Sequence, residues 1–213
     1  MRIAILTTSN QWFVEYAKKL NNILTNSDLY HSHEEIYKTY EILFILSYHK
    51  IIEDKHLNKN KHNIVIHASS LPQGKGWAPL FWQILEGKNN ITFSMFEASS
   101  GIDDGHIYMK STLKLTGNEL NQKLREKQAN FIMQMCLEFI NKYDIYRIPK
   151  KQNGEESFYP KRTKKDSELD IGKTLDEQFN LLRIVDNENY PAFFYKNNIK
   201  YILKIQEVND ENR

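Results

Sequence analysis

The chain reads as an α/β protein on a predominantly parallel sheet, and three observations predict it. Short all-apolar runs ("RIAILT", "EILFILS" and "NIVIHA") have the continuous hydrophobicity of strands covered on both faces. Segments with helical apolar spacing alternate with strand-like runs. The first helix pattern follows the first strand at once, a strand–helix start.

Each element has its own signal. "WFVEYAKKLNNIL" sets Phe13, Tyr16, Leu20 and Ile23 at helical spacing. "APLFWQILEG" places Pro79 in a first turn and Gly87 as a stop. "ITFSMFEA" alternates as a strand, and "GHIYMKSTLKL" follows as another. The longest helix is predicted from about Asn118 to Lys142, with Leu120, Leu124, Phe131, Met135 and Phe139 on one recurring face. From Asp144 to Gly172 the chain turns polar and aperiodic, which predicts a long loop of a kind that is commonly functional or disordered. A short helix, "LDEQFNLLRIV", and a hairpin, "PAFFYKNNIKYILKI", follow. The Asn197-Asn198 pair supplies the turn, because Asn tolerates positive φ, and a two-residue turn would set Phe194 opposite Tyr201. The expected division is 1–143 as a catalytic domain and 144–213 as an extension of loop, short helix and β-hairpin.

Composition narrows the function. With 40% hydrophobic and 26% charged residues over 213, the chain is ordinary globular material. A net charge of +2 gives no broad basic face, so no nucleic-acid partner is expected, although a local site for a phosphate or two remains open. No run approaches the roughly 18 apolar residues of a membrane span, and the N-terminal apolar run is too short for a signal peptide. The single cysteine, Cys136 in "FIMQMCLEF", reads as a buried thiol. The expected compartment is the cytoplasm.

The stretch "IHASSLPQGKGWAPLFW" carries the chemistry. A strand that ends in His67 and opens into a Ser/Pro/Gly loop delivers an imidazole to the edge where α/β sheets gather ligands. A lone strand-end histidine is more often a hydrogen-bonded structural residue. Asp103, in "SSGIDDG", reads by itself as a turn residue before Gly105.

The stretch from His67 to Tyr108 resembles the folate-dependent formyltransferases. The resemblance rests on His67, Ser69, Leu71, Pro72, Gly76, Pro79, Trp82, Gly87 and the run Ile102-Asp103-Asp104-Gly105. It implies a Rossmann-like formyltransferase core, with His67 as general base and Asp103 as the carboxylate that orients it, and no metal. One position departs: the family has Asn two residues before the histidine, and Val65 stands there. Asn63 shares that face one pleat further back. The resemblance also implies N10-formyltetrahydrofolate as donor, with its pterin near Leu46, Ser47, Tyr48, Gly101 and Ile102.

The segment "FYPKRTKKDSELDIG" and the hairpin are similar to the bacterial sugar N-formyltransferases, which act on nucleotide-linked amino sugars. This implies substrate contacts from Ser69, Lys75, Gly76, Trp77, Tyr159 and Arg162, with Arg162 offered to a diphosphate. Each has a plainer alternative: the basic loop as a solvated run, Trp77 and Tyr159 as core. Methionyl-tRNA formyltransferases of this family carry a large basic C-terminal domain, and the hairpin ending at Arg213 points away from them. The preferred acceptor is dTDP-4-amino-4,6-dideoxyglucose, with another small amine as an alternative. Val65 motivates a different class: a catalytically impaired binding or assembly protein on the same fold. The hairpin, which cannot bury both faces by itself, is expected to form a homodimer.

Overall fold

The computed structural model describes residues 1–208. In chain order its elements are β1 (Ile3–Leu6), α1 (Val14–Ile23), β2 (Ser27–Tyr30), β3 (Ile42–Ile45), α2 (Asp54–Leu57), β4 (His62–His67), β5 (Lys75–Gly76), α3 (Pro79–Leu85), β6 (Asn90–Glu97) and β7 (Ile107–Lys114). There follow α4 (Asn121–Asn141), α5 (Tyr143–Tyr146), β8 (Phe158–Tyr159), α6 (Phe179–Ile184), β9 (Ala192–Lys196) and β10 (Ile199–Leu203). The main sheet has the order β2-β1-β3-β4-β6-β7. Its first four strands are parallel, while β6 runs antiparallel to both β4 and β7. β7 therefore runs with β4, and β1, β3, β4 and β7 all end at one edge.

The all-apolar strands follow from this layering. Ile3, Ile5, Ile42, Phe44 and Ile64 pack with Phe13 and Leu20 at one end and with Leu124, Met135 and Phe139 of α4 in one core. Their sequence neighbours Ala4, Leu6, Leu43 and Ile45 pack with Ile36, Tyr40 and Leu57 in a second. Cys136 is buried and free, and burial pushes its thiol pKa up.

Several boundaries differ from the sequence reading. β2, "SDLY", was not expected: it is four partly exposed residues at the sheet edge, too short and too polar for an apolar pattern. α4 starts at Asn121 instead of near Asn118, because Glu119 accepts the backbone N–H groups of Thr116 and Gly117 in a preceding turn. Only Phe179–Ile184 of the last predicted helix is helical, since Glu177 accepts from Thr174 in a turn before it. The long loop holds α5, β8 and a single 3₁₀ turn, Lys164–Ser167.

The last part of the chain is tied to the sheet domain in two ways. β8 pairs in parallel with β5. Arg183, fully buried, donates to the Glu119 carboxylate at 3.2 Å and to Asn89 and Asn180. Burial raises the Glu119 carboxyl, but Lys127 and the N–H of Thr116 outweigh it and hold it at about 2. In the hairpin, Asn197 and Asn198 have φ of 51° and 62°, and Tyr201 faces Phe194 with the rings stacked.

Candidate active site

β4 ends in His67, which places the imidazole at the carboxyl edge of the sheet. Its Nε2 lies 2.8 Å from the Gly74 carbonyl and 3.6 Å from Asp103 Oδ2. A carbonyl only accepts, so Nε2 carries the proton and Nδ1 keeps the lone pair. The 3.6 Å approach is too long for a hydrogen bond, and it sets the carboxylate beside the ring.

Three contacts hold Asp103 in place. Gly76 donates its N–H to Oδ2 at 2.8 Å. Gln152 Nε2 donates to the carbonyls of Asp103 and Gly105, each at 2.8 Å. Asp103 itself sits in the left-handed region, at φ 50°. Gly105 closes the turn because a Cβ there would fall 1.6 Å from the Glu97 carbonyl. Gly76 is required for a similar reason: its φ is +94° and a Cβ would meet the Tyr159 carbonyl at 2.6 Å.

The structure brings some expected substrate residues to this edge and assigns others elsewhere. Trp77 is 47% exposed, with the Lys161 ammonium 5.0 Å from its ring. Arg162 is half-buried and faces Phe81. Four others are engaged by neighbouring residues. Ser69 is 2% exposed and its carbonyl accepts from Ser94. Lys75 is likewise 2% exposed, its ammonium bonded to Asp104 and Glu156. It pins the loop. The Gly76 N–H serves Asp103. Tyr159 stacks on Trp82 and donates its hydroxyl to Glu86.

The expected folate residues are not gathered into one cavity. Leu46 is buried, its N–H given to Leu6. Ser47 has φ 52° and its carbonyl accepts from Thr8. The Tyr48 hydroxyl meets His33 Nδ1 at 2.7 Å. Ile102 stands 68% exposed. Gly101, with Glu97, Ser99, Asp104 and His106, lines a cleft of about 300 Å³ beside the Asp103 loop.

Asn63 does not replace the absent asparagine. It is buried, donates to the Leu57 carbonyl and to Glu97, and accepts from Asn60. Nothing in the sequence singles out Gln152, which lies in an aperiodic stretch, nor Gly74, whose part is played by a backbone carbonyl. Among the described residues no three His, Cys, Asp or Glu side chains converge as metal ligands, and no helix is long and apolar enough to cross a membrane.

A strand-end histidine thus stands beside a loop aspartate at the carboxyl edge of a Rossmann-like sheet. Residues 5–139 match the formyl transferase family, and the chain belongs to that family. The methionyl-tRNA formyltransferase of Thermosipho melanesiensis is 33% identical over 146 residues, 68% of this chain and 47% of that protein. That of Clostridium beijerinckii is 28% identical over 177 residues, 80% of this chain and 56% of that protein. The chain thus spans about half the length of these curated relatives. Three solved structures share the fold. The methionyl-tRNA formyltransferase from Clostridium thermocellum has a TM-score of 0.78 at 23% identity, covering 100% of this chain and 95% of that one. A sugar N-formyltransferase from a Shewanella species has 0.69 at 15%, covering 98% and 99%. HypX from Aquifex aeolicus, in complex with tetrahydrofolic acid, has 0.77 at 16%, covering 96% and 37%.

Proposed function

We propose that the chain moves a formyl group from N10-formyltetrahydrofolate to the amine of a nucleotide-linked amino-dideoxy sugar, with dTDP-4-amino-4,6-dideoxyglucose as the preferred acceptor. One observation carries the transfer chemistry: in a formyl transferase, His67 keeps Nδ1 without a hydrogen bond from any described residue, while Asp103 stands 3.6 Å from Nε2. Nδ1 takes the proton from the amine nitrogen as it bonds to the formyl carbon. Asp103 stabilises the imidazolium that results. Negative charge gathers on the formyl oxygen, and Val65 offers it no donor, so backbone N–H groups and the charged ring are left for that task. His67 then returns its proton to the departing folate nitrogen as the carbon–nitrogen bond breaks.

The sugar is supported by two things. A sugar N-formyltransferase structure is matched along almost all of both chains. Trp77 and Arg162 offer an exposed aromatic face and a guanidinium for a ring and a diphosphate. A second reading, formylation of a methionyl group on tRNA, is favoured by the sequence relatives and by the Clostridium thermocellum structure, which is matched as fully. The test presents the purified chain and folate donor with the sugar nucleotide, with other small amines and with charged initiator tRNA, followed by mass spectrometry. Formylation of the sugar nucleotide is expected. Product from tRNA alone would install the second reading, and no product from any acceptor would favour a binding protein.

The cytoplasm is the proposed compartment, since a buried free thiol fits a reducing environment. The catalytic domain is proposed to end at residue 143. The proposed homodimer rests on the hairpin, where Tyr195, Ile199, Tyr201 and Ile202 remain exposed. Phe194 belongs to the hairpin's own packed face, so Ile202→Asp is the cleaner disruption. Light scattering should show a dimer that Ile202→Asp dissociates, and a monomer in the parent removes the idea.

A further inference from the structure

The geometry points to a built anion site in which Arg125 and Arg162 together hold the diphosphate of the acceptor substrate, an inference that rests on the sugar-nucleotide reading above. Four elements meet at the carboxyl edge of the sheet to make it. Trp12 lies in the loop after β1, Phe81 in the first turn of α3, Arg125 near the start of α4, and Arg162 just after β8.

The Arg125 guanidinium lies within cation–π reach of two aromatic rings, 4.5 Å from the centre of Trp12 and 4.3 Å from that of Phe81. Such contacts attract the charge through the ring and use none of its N–H groups. Only Nη1 is used, on Gln128 at 3.2 Å. The Arg162 guanidinium lies 6.0 Å from the same Phe81 ring. Its Nη2 reaches the Asp166 carbonyl and Ser167, while its Nε is buried without a partner.

Among the described residues, neither guanidinium has a carboxylate within 4.0 Å, whereas Arg147 and Arg183 each do. Burial pushes Arg125 down to about 10; Asp186 opposes that shift and Arg162 adds to it. The Asp186 carboxylate is itself taken up by the N–H groups of Glu188 and Asn189. Asp186 acts on Arg125 and Asp166 on Arg162 only from beyond contact distance, so the two half-buried like charges keep room for an anion between them and water. Adjacent phosphates suit two guanidinium forks.

Phe81 follows Gly76, which binds Asp103, by five residues, so the chain keeps the two within roughly 18 Å of each other. Both guanidinium groups lie by the one Phe81 ring, on a chain whose net charge is only +2.

Isothermal titration of the full chain with inorganic pyrophosphate, thymidine diphosphate and thymidine tests the site. Both phosphate probes should bind, and thymidine should bind far more weakly. Arg125→Gln and Arg162→Gln should each weaken the phosphate probes about tenfold or more and leave thymidine unchanged. Arg125→Lys keeps the charge without the fork, so a smaller loss is expected; it also carries the test if the Gln variant fails to fold. Pyrophosphate affinity that is absent in the parent, or unchanged by every Arg125 substitution, overturns the site. So does tRNA binding that depends on Arg125 when pyrophosphate binding does not. Arginine-dependent pyrophosphate binding without sugar formylation would remove the substrate reading and leave the site standing. Sugar formylation with arginine-independent diphosphate binding would do the reverse.

Discussion

The two ends of β4 carry two histidines with opposite fates. At the start, His62 is buried and both ring nitrogens are occupied, Nδ1 by Tyr108 at 2.9 Å and Nε2 by Tyr143 at 2.8 Å. Tyr108 in turn donates to the Glu97 carboxylate, which also holds Asn63. The Tyr108 proton goes to Glu97, so Nδ1 of His62 donates to Tyr108 and Nε2 accepts from Tyr143. At the other end, His67 spends one nitrogen on a backbone carbonyl, has a carboxylate nearby but unbonded, and keeps its second nitrogen open. A satisfied network spends a histidine on stability; an unfinished one leaves it for chemistry.

Breaking the open end should have the largest effect. His67→Asn is expected to lower formyl transfer by about 10²–10⁴-fold. Its melting temperature should stay near the parent's, because only one hydrogen bond is lost. Near-parental turnover would remove the general-base role. Asp103→Asn retains an oxygen for the Gly76 N–H but loses the charge, so a smaller fall, roughly a hundredfold, is expected in single-turnover assays.

Breaking the closed end should reverse the pattern. His62→Leu leaves two tyrosine hydroxyls short of a partner and is expected to cost about 2 kcal/mol in denaturant unfolding, with kcat little changed. The pH dependence sharpens the contrast. Burial, reinforced by the Lys61 charge, pushes the His62 pKa below its usual 6.5. His33 is lowered in the same direction, first by burial and then by His56. Both are held neutral in the fold, so the unfolded chain takes up more protons at mildly acidic pH. Their stabilisation is complete above about 6.5 and is lost as pH falls through the lower folded values. His62→Leu should flatten part of that decline. A decline as steep as the parent's would mean that other groups cause it.

The same contrast explains what the sequence made legible. Buried strands, α1, α3 and the hairpin register rest on local patterns: apolar runs, Pro79 and Gly87, Asn197-Asn198; the pairing of His67 with Asp103, 36 residues apart, rests on the family resemblance. β2 escaped because an edge strand of four partly exposed residues needs no apolar pattern. The resemblance to sugar N-formyltransferases implies Lys75 and Tyr159 as substrate contacts. Only the fold shows that Asp104, Glu156, Glu86 and Trp82 have already engaged them. Gln152 and the Arg125 clamp join segments far apart in the chain, a kind of information that no local pattern carries.

Val65 offers the smallest change and the most direct test of the open end. It lies on the His67 face of β4, paired with Ile45 and Phe96, and packs against the second core. An asparagine two residues earlier is tethered at once, because Leu57, Asn60 and Glu97 surround Asn63. Position 65 has apolar strand neighbours instead, so an amide placed there would lack those tethers and remain free to donate beside His67. Val65→Asn should cost about 1 kcal/mol of stability through lost apolar burial. It should also raise kcat, by up to about tenfold, with the KM for either substrate nearly constant, because an oxyanion donor acts mainly in the transition state. An unchanged or lower kcat in a folded variant would show that a backbone N–H already occupies the position, and that β4 completes its open end without an asparagine.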